Sequence, residues 1–191
     1  MLTETLQIPS LQLLPHPTHS SAIVESLLAD VSWERAQGLR VIYGCTAKPG
    51  HVRIPAPASS GFTDGLWRHT CCELFVAEAD STAYREFNFA PSGAWAVYAF
   101  AACRERIALI PEVSPSVRFD ACGEGWTLTA YIPAALLPMT GALQLGLSAV
   151  IEGEDGTLNY HALAHPQPAP DFHDRRSFVL SLPVTVSEDS L

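Results

Sequence analysis

Residues 69–102 read HTCCELFVAEADSTAYREFNFAPSGAWAVYAFAA, and this stretch decides the fold. It contains three segments rich in apolar and aromatic residues, separated by two short turns rich in Asp, Ser, Thr, Pro and Gly. Segments with this composition and spacing predict three strands joined by tight turns, an antiparallel meander. Because residues two apart share one face of a strand, Cys72, Leu74 and Val76 form an apolar row that faces a core.

The same pattern of apolar segments and turn residues continues along most of the chain. A hairpin is predicted to turn near Gln37 and Gly38, and the proline-rich residues 48–65 and 165–176 are predicted to be loops. Residues 132–138 offer at most one or two helical turns. Further strands are predicted at residues 4–16, 24–35, 38–47, 116–121, 125–133, 143–152, 157–164 and 177–184. About ten strands with almost no helix predict an all-β fold, an antiparallel β-sandwich of the jelly-roll or immunoglobulin-like kind.

The apolar phase of each strand predicts the residues through which the two sheets pack. These are Leu74, Val76, Phe87, Phe89, Leu128, Leu147 and Phe178. Five cysteines at uneven spacing, two of them adjacent, do not suit a disulfide framework, so we expect reduced thiols. Cys72 is predicted to be buried and inert, and Cys71, on the opposite face, to be partly accessible.

Composition limits the possible functions. The 191 residues, 48% hydrophobic and 16% charged, predict one globular domain spanning residues 1–191. A formal net charge of -9 disfavours nucleic acid as a partner. The first residues lack the basic and apolar regions of a signal peptide, and no apolar segment reaches the length of about 18 residues that a membrane helix needs. We therefore expect a cytoplasmic protein without a membrane partner.

The residues of the central strands that alternate with the apolar row, and so point to the opposite face, include polar side chains. In this phase the pattern places four hydrogen-bonding residues on one face of the sheet, with three aromatic residues nearby. Flat aromatic rings beside polar groups are the composition that sugar rings require. The residues are His69, Glu73, Glu86 and Asn88, flanked by Trp67, Trp95 and Tyr98. The competing interpretation is an ordinary solvated sheet face.

Catalysis is the weaker hypothesis for the same residues. Cys71 and His69 lie two positions apart on one strand, about 7 Å, which is too far for a thiol–imidazole hydrogen bond. Glu73 and Glu86 lie on neighbouring strands, whereas a glycosidase needs its two carboxyls on opposed sides of a cleft. The sequence therefore predicts a protein that is not an enzyme.

Two further candidate sites involve the loop at residues 165–176. His161, His165 and His173 are weak candidates for a metal site, because histidines in such a loop more often bond to backbone carbonyls. Arg175 is a candidate to reach over the sheet towards an anionic or hydroxylated ligand with its planar guanidinium group. A local ion-pair network is the alternative for this charged segment.

Four motifs follow one another in a characteristic order: DGLWRHTCCELFV, AYREFNFAPSGAWAVYAF, WTLTAYIPAALL and LNYHALAHPQPAPDFHDRRSF. Together they resemble the bacterial DOMON-like domains related to family 9 carbohydrate-binding modules, over residues 39–182. The resemblance implies a β-sandwich of a superfamily whose members bind sugars or haem. In sugar-binding relatives tryptophans grip the saccharide, which implies such a role for Trp67 or Trp95.

The prediction is a non-catalytic domain that binds a small molecule, a carbohydrate or sugar derivative, without a cofactor. Two alternatives stay open at the level of sequence. One is a haem-binding or redox domain, and the other is a structural or interaction domain whose ancestral site is vacant.

Overall fold

A computed structural model of the chain describes residues 5–20, 22–34, 37–138 and 142–183. These residues form thirteen strands and three short 3₁₀-helices, at Leu66–Arg68, Ala134–Leu136 and Arg175–Ser177, and no helix among them is long and apolar enough to cross a membrane. The strands are β1 (Thr5–Gln12), β2 (Leu14–Pro15), β3 (Val24–Glu34), β4 (Gly38–Ala47), β5 (Cys71–Glu78), β6 (Tyr84–Phe89), β7 (Trp95–Ala102), β8 (Glu105–Ile107), β9 (Ser116–Cys122), β10 (Gly125–Pro133), β11 (Leu143–Glu152), β12 (Leu158–Ala162) and β13 (Leu180–Leu182).

The strands form two antiparallel sheets. The smaller sheet has the order β1-β3-β4-β10-β9, and the larger has the order β2-β12-β11-β5-β6-β7-β8, with β13 also paired to β11. The predicted all-β sandwich with little helix is therefore confirmed. The predicted first strand divides into β1 and β2, and the short strand β8 was not expected. Residues 4, 35 and 184, at the ends of three predicted strands, lie outside the described residues.

One apolar core fills the space between the sheets. Tyr43 and Leu128 of the smaller sheet and Leu74, Phe87 and Leu147 of the larger sheet belong to the same buried cluster. Each is at most 1% exposed, as expected for alternating strands whose inner faces meet. The predicted core residues Val76 and Phe89 also lie there.

The outer face of the larger sheet is covered as well, and this corrects two predictions. Residues 163–178, here called the covering segment, run across that face and bury a second apolar cluster that includes Phe75, Tyr84 and Phe172. Phe178 belongs to this outer cluster and not to the core between the sheets. Cys71 is fully buried rather than partly accessible. Alternation along β5 correctly places it on the outer face, but that face is not exposed to solvent at this position.

Gly146 permits the close approach of the covering segment. A Cβ atom at this position of β11 would lie 2.8 Å from Cδ1 of Phe178. We expect Gly146→Ala to lower the free energy of unfolding by about 1–3 kcal/mol, because the ring has to move out of a packed site. Urea unfolding measures the effect. Gly44→Ala on β4, where no atom of the described residues lies within 4 Å of the added Cβ, is the matched control and should be close to neutral. Equal effects of the two substitutions would contradict the packing described for Phe178.

The five thiols should differ sharply in reactivity. Cys45, Cys71 and Cys72 are buried, and burial raises the pKa of each thiol, in Cys45 to about 12. Cys103 and Cys122 are exposed. Labelling the native protein with a thiol reagent should therefore modify two thiols rapidly and three only upon unfolding, because the thiolate is the reactive form. A Cys103→Ser/Cys122→Ser variant should show no rapid phase, and rapid labelling of Cys71 would contradict the covered outer face.

Candidate functional site

A cavity of about 360 Å³ lies on the outer face of the larger sheet, beside the covering segment. This volume falls in the range of about 300–1,000 Å³ that is usual for small-molecule sites. Outward-facing residues of β5, β6, β7, β11 and β12 form its floor. The covering segment, the 3₁₀-helix Leu66–Arg68 and the turn around β8 contribute the walls and the rim.

Two carboxyl groups lie at the floor, those of Glu73 on β5 and Glu86 on β6. Glu73 is opposite Asn88 in the strand pairing, so Glu86 occupies the diagonal position on the same face. Diagonal neighbours in an antiparallel sheet lie about 7–8 Å apart. Glu73 is 3% exposed and Glu86 5% exposed, so both side chains are almost completely withdrawn from bulk water.

Glu86 has several partners in the protein. Asn88 donates an amide hydrogen bond to its Oε1 at 2.6 Å, and His173 Nε2 lies 3.6 Å from its Oε2. Burial raises the pKa of Glu86, while the Asn88 hydrogen bond and the guanidinium groups of Arg104 and Arg106 act in the opposite direction. The protein itself thus partly supports the charged form of this buried acid.

The Glu73 carboxyl accepts no hydrogen bond from the part of the chain that the structure describes. Only its backbone carbonyl is engaged from the interior, by the Tyr43 hydroxyl, which donates at 2.7 Å. Burial, and then the neighbouring Glu86, raise the pKa of Glu73 well above its usual value. Such an environment favours a carboxyl that is either protonated or paired with a cation.

His173, in the covering segment, connects the floor to the wall. Its Nδ1 lies 2.7 Å from the Tyr84 hydroxyl, which accepts the backbone N–H of Arg104 at 3.0 Å. Burial and the nearby Arg104 guanidinium lower the pKa of His173 to about 4. The imidazole is therefore neutral at pH 7 and acts as a hydrogen-bonding group rather than as a cation.

Two arginines stand at the rim, each beside an aspartate. Arg104 Nη2 lies 2.8 Å from Asp171 Oδ1, and Arg106 Nη1 lies 3.8 Å from Asp64 Oδ1. The Arg106 guanidinium also lies over the Tyr98 ring, 4.2 Å from its centroid. Exposed ion pairs of this kind add little stability. They balance the charge of the rim and hold the two guanidinium groups in place.

Aromatic rings stand on both sides of the floor. Trp67, 37% exposed, packs edge-on against Tyr98 with 5.7 Å between ring centroids. The Tyr98 hydroxyl donates to Asp64 at 2.7 Å. On the other side, Tyr160 of β12 lies against Phe172 with 6.0 Å between centroids. Rings placed around buried polar groups suit a ligand with apolar faces and polar edges.

Four of the eight binding residues predicted from the sequence line this cavity. They are Trp67, Glu73, Glu86 and Tyr98. Asn88 lies behind them, fully buried, where it holds the Glu86 carboxylate. Alternation along β5 and β6 thus brings the two predicted acids together.

The other three predicted residues lie elsewhere. Trp95 faces the core between the sheets, because it is an odd number of positions from Tyr98 on β7, and its predicted place in the wall is wrong. His69, whose side chain is 63% exposed, has its Nδ1 2.8 Å from Glu152 Oε2. Arg175 donates to two backbone carbonyls near the β5–β6 turn, at 3.2 and 3.3 Å, and does not line the cavity.

Sequence reasoning misses several lining residues. Tyr160 could have been found by alternation, since it lies opposite Val150 in the pairing of β11 and β12. Arg104 lies in the tight turn between β7 and β8, which contains no glycine, and Arg106 follows it on β8. Arg104 itself takes the left-handed conformation, with a φ of 59°, which is uncommon for a residue of this type.

The three histidines considered for a metal do not converge. His173 lines the cavity. His165 instead donates a hydrogen bond from Nε2 to the Leu14 carbonyl at 2.8 Å, because a carbonyl oxygen can only accept. His161 is buried on the inner phase of β12. No group of three potential metal ligands lies together among the described residues.

The buried Glu73 carboxyl makes stability depend on pH. The unfolded chain releases this proton near its usual pKa of about 4.3, whereas the folded chain keeps it to higher pH, so the free energy of unfolding falls as pH rises through this window. Glu73→Gln removes this titration. Between the pKa values of Glu73 in the unfolded and the folded chain, we expect the free energy of unfolding of the variant to rise relative to that of the wild type by up to about 1.4 kcal/mol per pH unit.

Urea unfolding of both proteins between pH 4 and pH 8 measures the difference. The lowered pKa of His173 acts in the opposite direction but is common to both proteins, so it largely cancels in the comparison. Glu25→Gln, at an exposed position of β3, should run parallel to the wild type. A constant difference between Glu73→Gln and the wild type would contradict the raised pKa.

Comparisons with known proteins support the fold. No protein-family model matches the chain, and no curated protein matches its sequence. A solved structure from Bacteroides uniformis, described as that of a "putative carbohydrate-binding protein", is similar, with a TM-score of 0.72. The two chains are 18% identical, and the match covers 92% of this chain and 86% of the other. At this identity the likeness shows that the two proteins share the β-sandwich fold.

Proposed function

We propose that this protein is a non-catalytic binding domain whose ligand, a saccharide or sugar derivative, occupies the cavity on the outer face of the larger sheet. The observation that carries the proposal is the combination of open aromatic rings with two buried carboxyl groups in one cavity. A pyranose ring presents apolar C–H faces and polar hydroxyl edges. Trp67 and Tyr160 match the faces, and Glu73 and Glu86 match the hydroxyls.

The similar structure adds support at a coarser level. The name of the Bacteroides uniformis protein refers to carbohydrate binding, and its fold extends over most of this chain. The motif resemblance to DOMON-like domains and family 9 carbohydrate-binding modules agrees with that role.

The geometry also favours binding over catalysis. Glu73 and Glu86 occupy diagonal positions on one sheet surface, so both approach a ligand from the same side. Hydrolysis of a glycosidic bond needs an acid and a base or nucleophile on opposed sides of the bond. The nearby Cys71 thiol is buried and its pKa is raised, which removes the thiolate that a cysteine nucleophile requires.

Calorimetry against a panel of neutral, acidic and amino sugars and their oligomers tests the proposal. Each hydroxyl exchanges hydrogen bonds with water for hydrogen bonds with protein at a net gain of only about 1 kcal/mol, so we expect dissociation constants between about 1 μM and 1 mM. Trp67→Ala should weaken binding roughly tenfold, because a stacked ring contributes about 0.5–1.5 kcal/mol beyond its buried area.

Tyr131→Ala is the matched control, since this tyrosine lies on β10 in the other sheet. It should leave the affinity unchanged. Absence of binding to every sugar in the panel would overturn the proposed ligand. Binding that is insensitive to Trp67→Ala would place the site outside this cavity.

A further inference from the structure

We propose that the ligand carries a primary ammonium group, held at the floor of the cavity between the carboxyl groups of Glu73 and Glu86. The inference rests on the proposed saccharide site and names the class of saccharide, an amino sugar. It follows from the hydrogen-bonding capacity and the charge of the floor.

The floor has more acceptors than donors. The Glu73 carboxyl, 3% exposed and part of the cavity lining, receives no hydrogen bond from the described part of the chain. Glu86 receives one, from Asn88. A buried polar group without a partner is costly, and in this position the partner has to come from the cavity. An ammonium group offers three N–H donors and accepts none, which complements two carboxylates.

The spacing of the two acids suits a single small cation. Their diagonal positions on β5 and β6 place both side chains on one face, about 7–8 Å apart at the backbone. Because both side chains enter the same cavity from one sheet face, a primary ammonium placed between them can donate to both carboxyls. A quaternary ammonium has no N–H and would leave the carboxyl oxygens without hydrogen bonds, so the geometry favours the primary amine.

The charges around the floor point the same way. The groups that face the two acids from the neighbouring elements are Tyr98 of β7, Arg104 and Arg106 around β8, Tyr160 of β12 and His173 of the covering segment. Each arginine is beside its own aspartate, so the rim is close to neutral. Cys71, two positions before Glu73, is a neutral thiol. The carboxylates of the floor are therefore the charges that a ligand complements, and this requires a positive group on the ligand.

Other features favour a cation over an anion or a neutral sugar. The open ring of Trp67 and the ring of Tyr160 can attract an ammonium group through their faces. The formal net charge of -9 steers cations towards the protein and repels sugar acids. A neutral sugar supplies no positive charge to pair with a Glu73 or Glu86 carboxylate.

The inference predicts a measurable release of a proton from the Glu73 carboxyl when the ligand binds. Without ligand, burial raises the pKa of Glu73 and favours its protonated form. An ammonium group stabilises the carboxylate, so binding should displace a proton from the floor into solution. The affinity should rise with pH through the Glu73 titration and fall again where the amine itself loses its charge. A neutral sugar should release no proton.

Calorimetry at several pH values between about 5 and 7, where an amine of pKa near 7.7–8.0 is charged, provides the test. The probes are glucosamine and its β1,4-linked oligomers, compared with glucose, N-acetylglucosamine and their oligomers. We expect the amino sugars to bind the wild-type protein at least about tenfold more tightly, because hydrogen bonds to charged groups are worth more than neutral ones. Titrations in two buffers with different ionisation enthalpies should show proton release for the amino sugars alone.

Glu73→Gln removes the charge with little change in shape. It should reduce the affinity for the amino sugars to that for the neutral sugars and abolish the proton release, while Glu25→Gln should change neither. Proton release by the wild-type protein tests the inference even if Glu73→Gln fails to fold. Equal affinity for glucosamine and glucose oligomers, without proton release, would overturn the ammonium site and leave the saccharide site standing. Absence of binding to any of these sugars would overturn both.

Discussion

The packing of two sheets through their inner faces is the constraint on which the rest of this structure depends. The strict alternation of β5 and β6 sends Leu74 and Phe87 into that core and forces Glu73 and Glu86 to the opposite face. A slip of one residue in the register of β5 would place Glu73 in the apolar interior. The hydrophobic effect thus fixes the position of the polar site as firmly as it fixes the core.

The second constraint is that the outer face of the larger sheet, which carries the polar site, is largely covered by protein and not exposed to solvent. The covering segment lies across it and packs Phe172 and Phe178 against the sheet, so the acids beneath are withdrawn from water. Burial of two neighbouring carboxyls costs stability, as their raised pKa values indicate. Sites that lower the stability of a fold in this way are expected where function requires them.

Much of the fold could be predicted from the sequence because period-two alternation is a local signal. It correctly indicated the strands of the meander and the faces of Glu73, Glu86 and Asn88. The errors arose where nonlocal packing decides. Cys71 was expected to be accessible, but its thiol is fully buried beside the Asn88 amide, and alternation along β5 alone does not show that this face is covered. Trp95 is a different case, because its distance from Tyr98 along β7 already places the two on opposite faces.

Arg175 shows how a residue can shape a site that it does not touch. Its guanidinium lies 4.6 Å from the centroid of the Phe178 ring and bonds to backbone carbonyls near the β5–β6 turn. Asp174, immediately before it, caps the 3₁₀-helix Arg175–Ser177 by accepting the Arg176 N–H at 2.9 Å. These contacts fix the end of the covering segment that follows His173. Arg175, which the sequence suggested as a ligand contact, therefore acts with Asp174 as an anchor for the segment that forms the cavity wall.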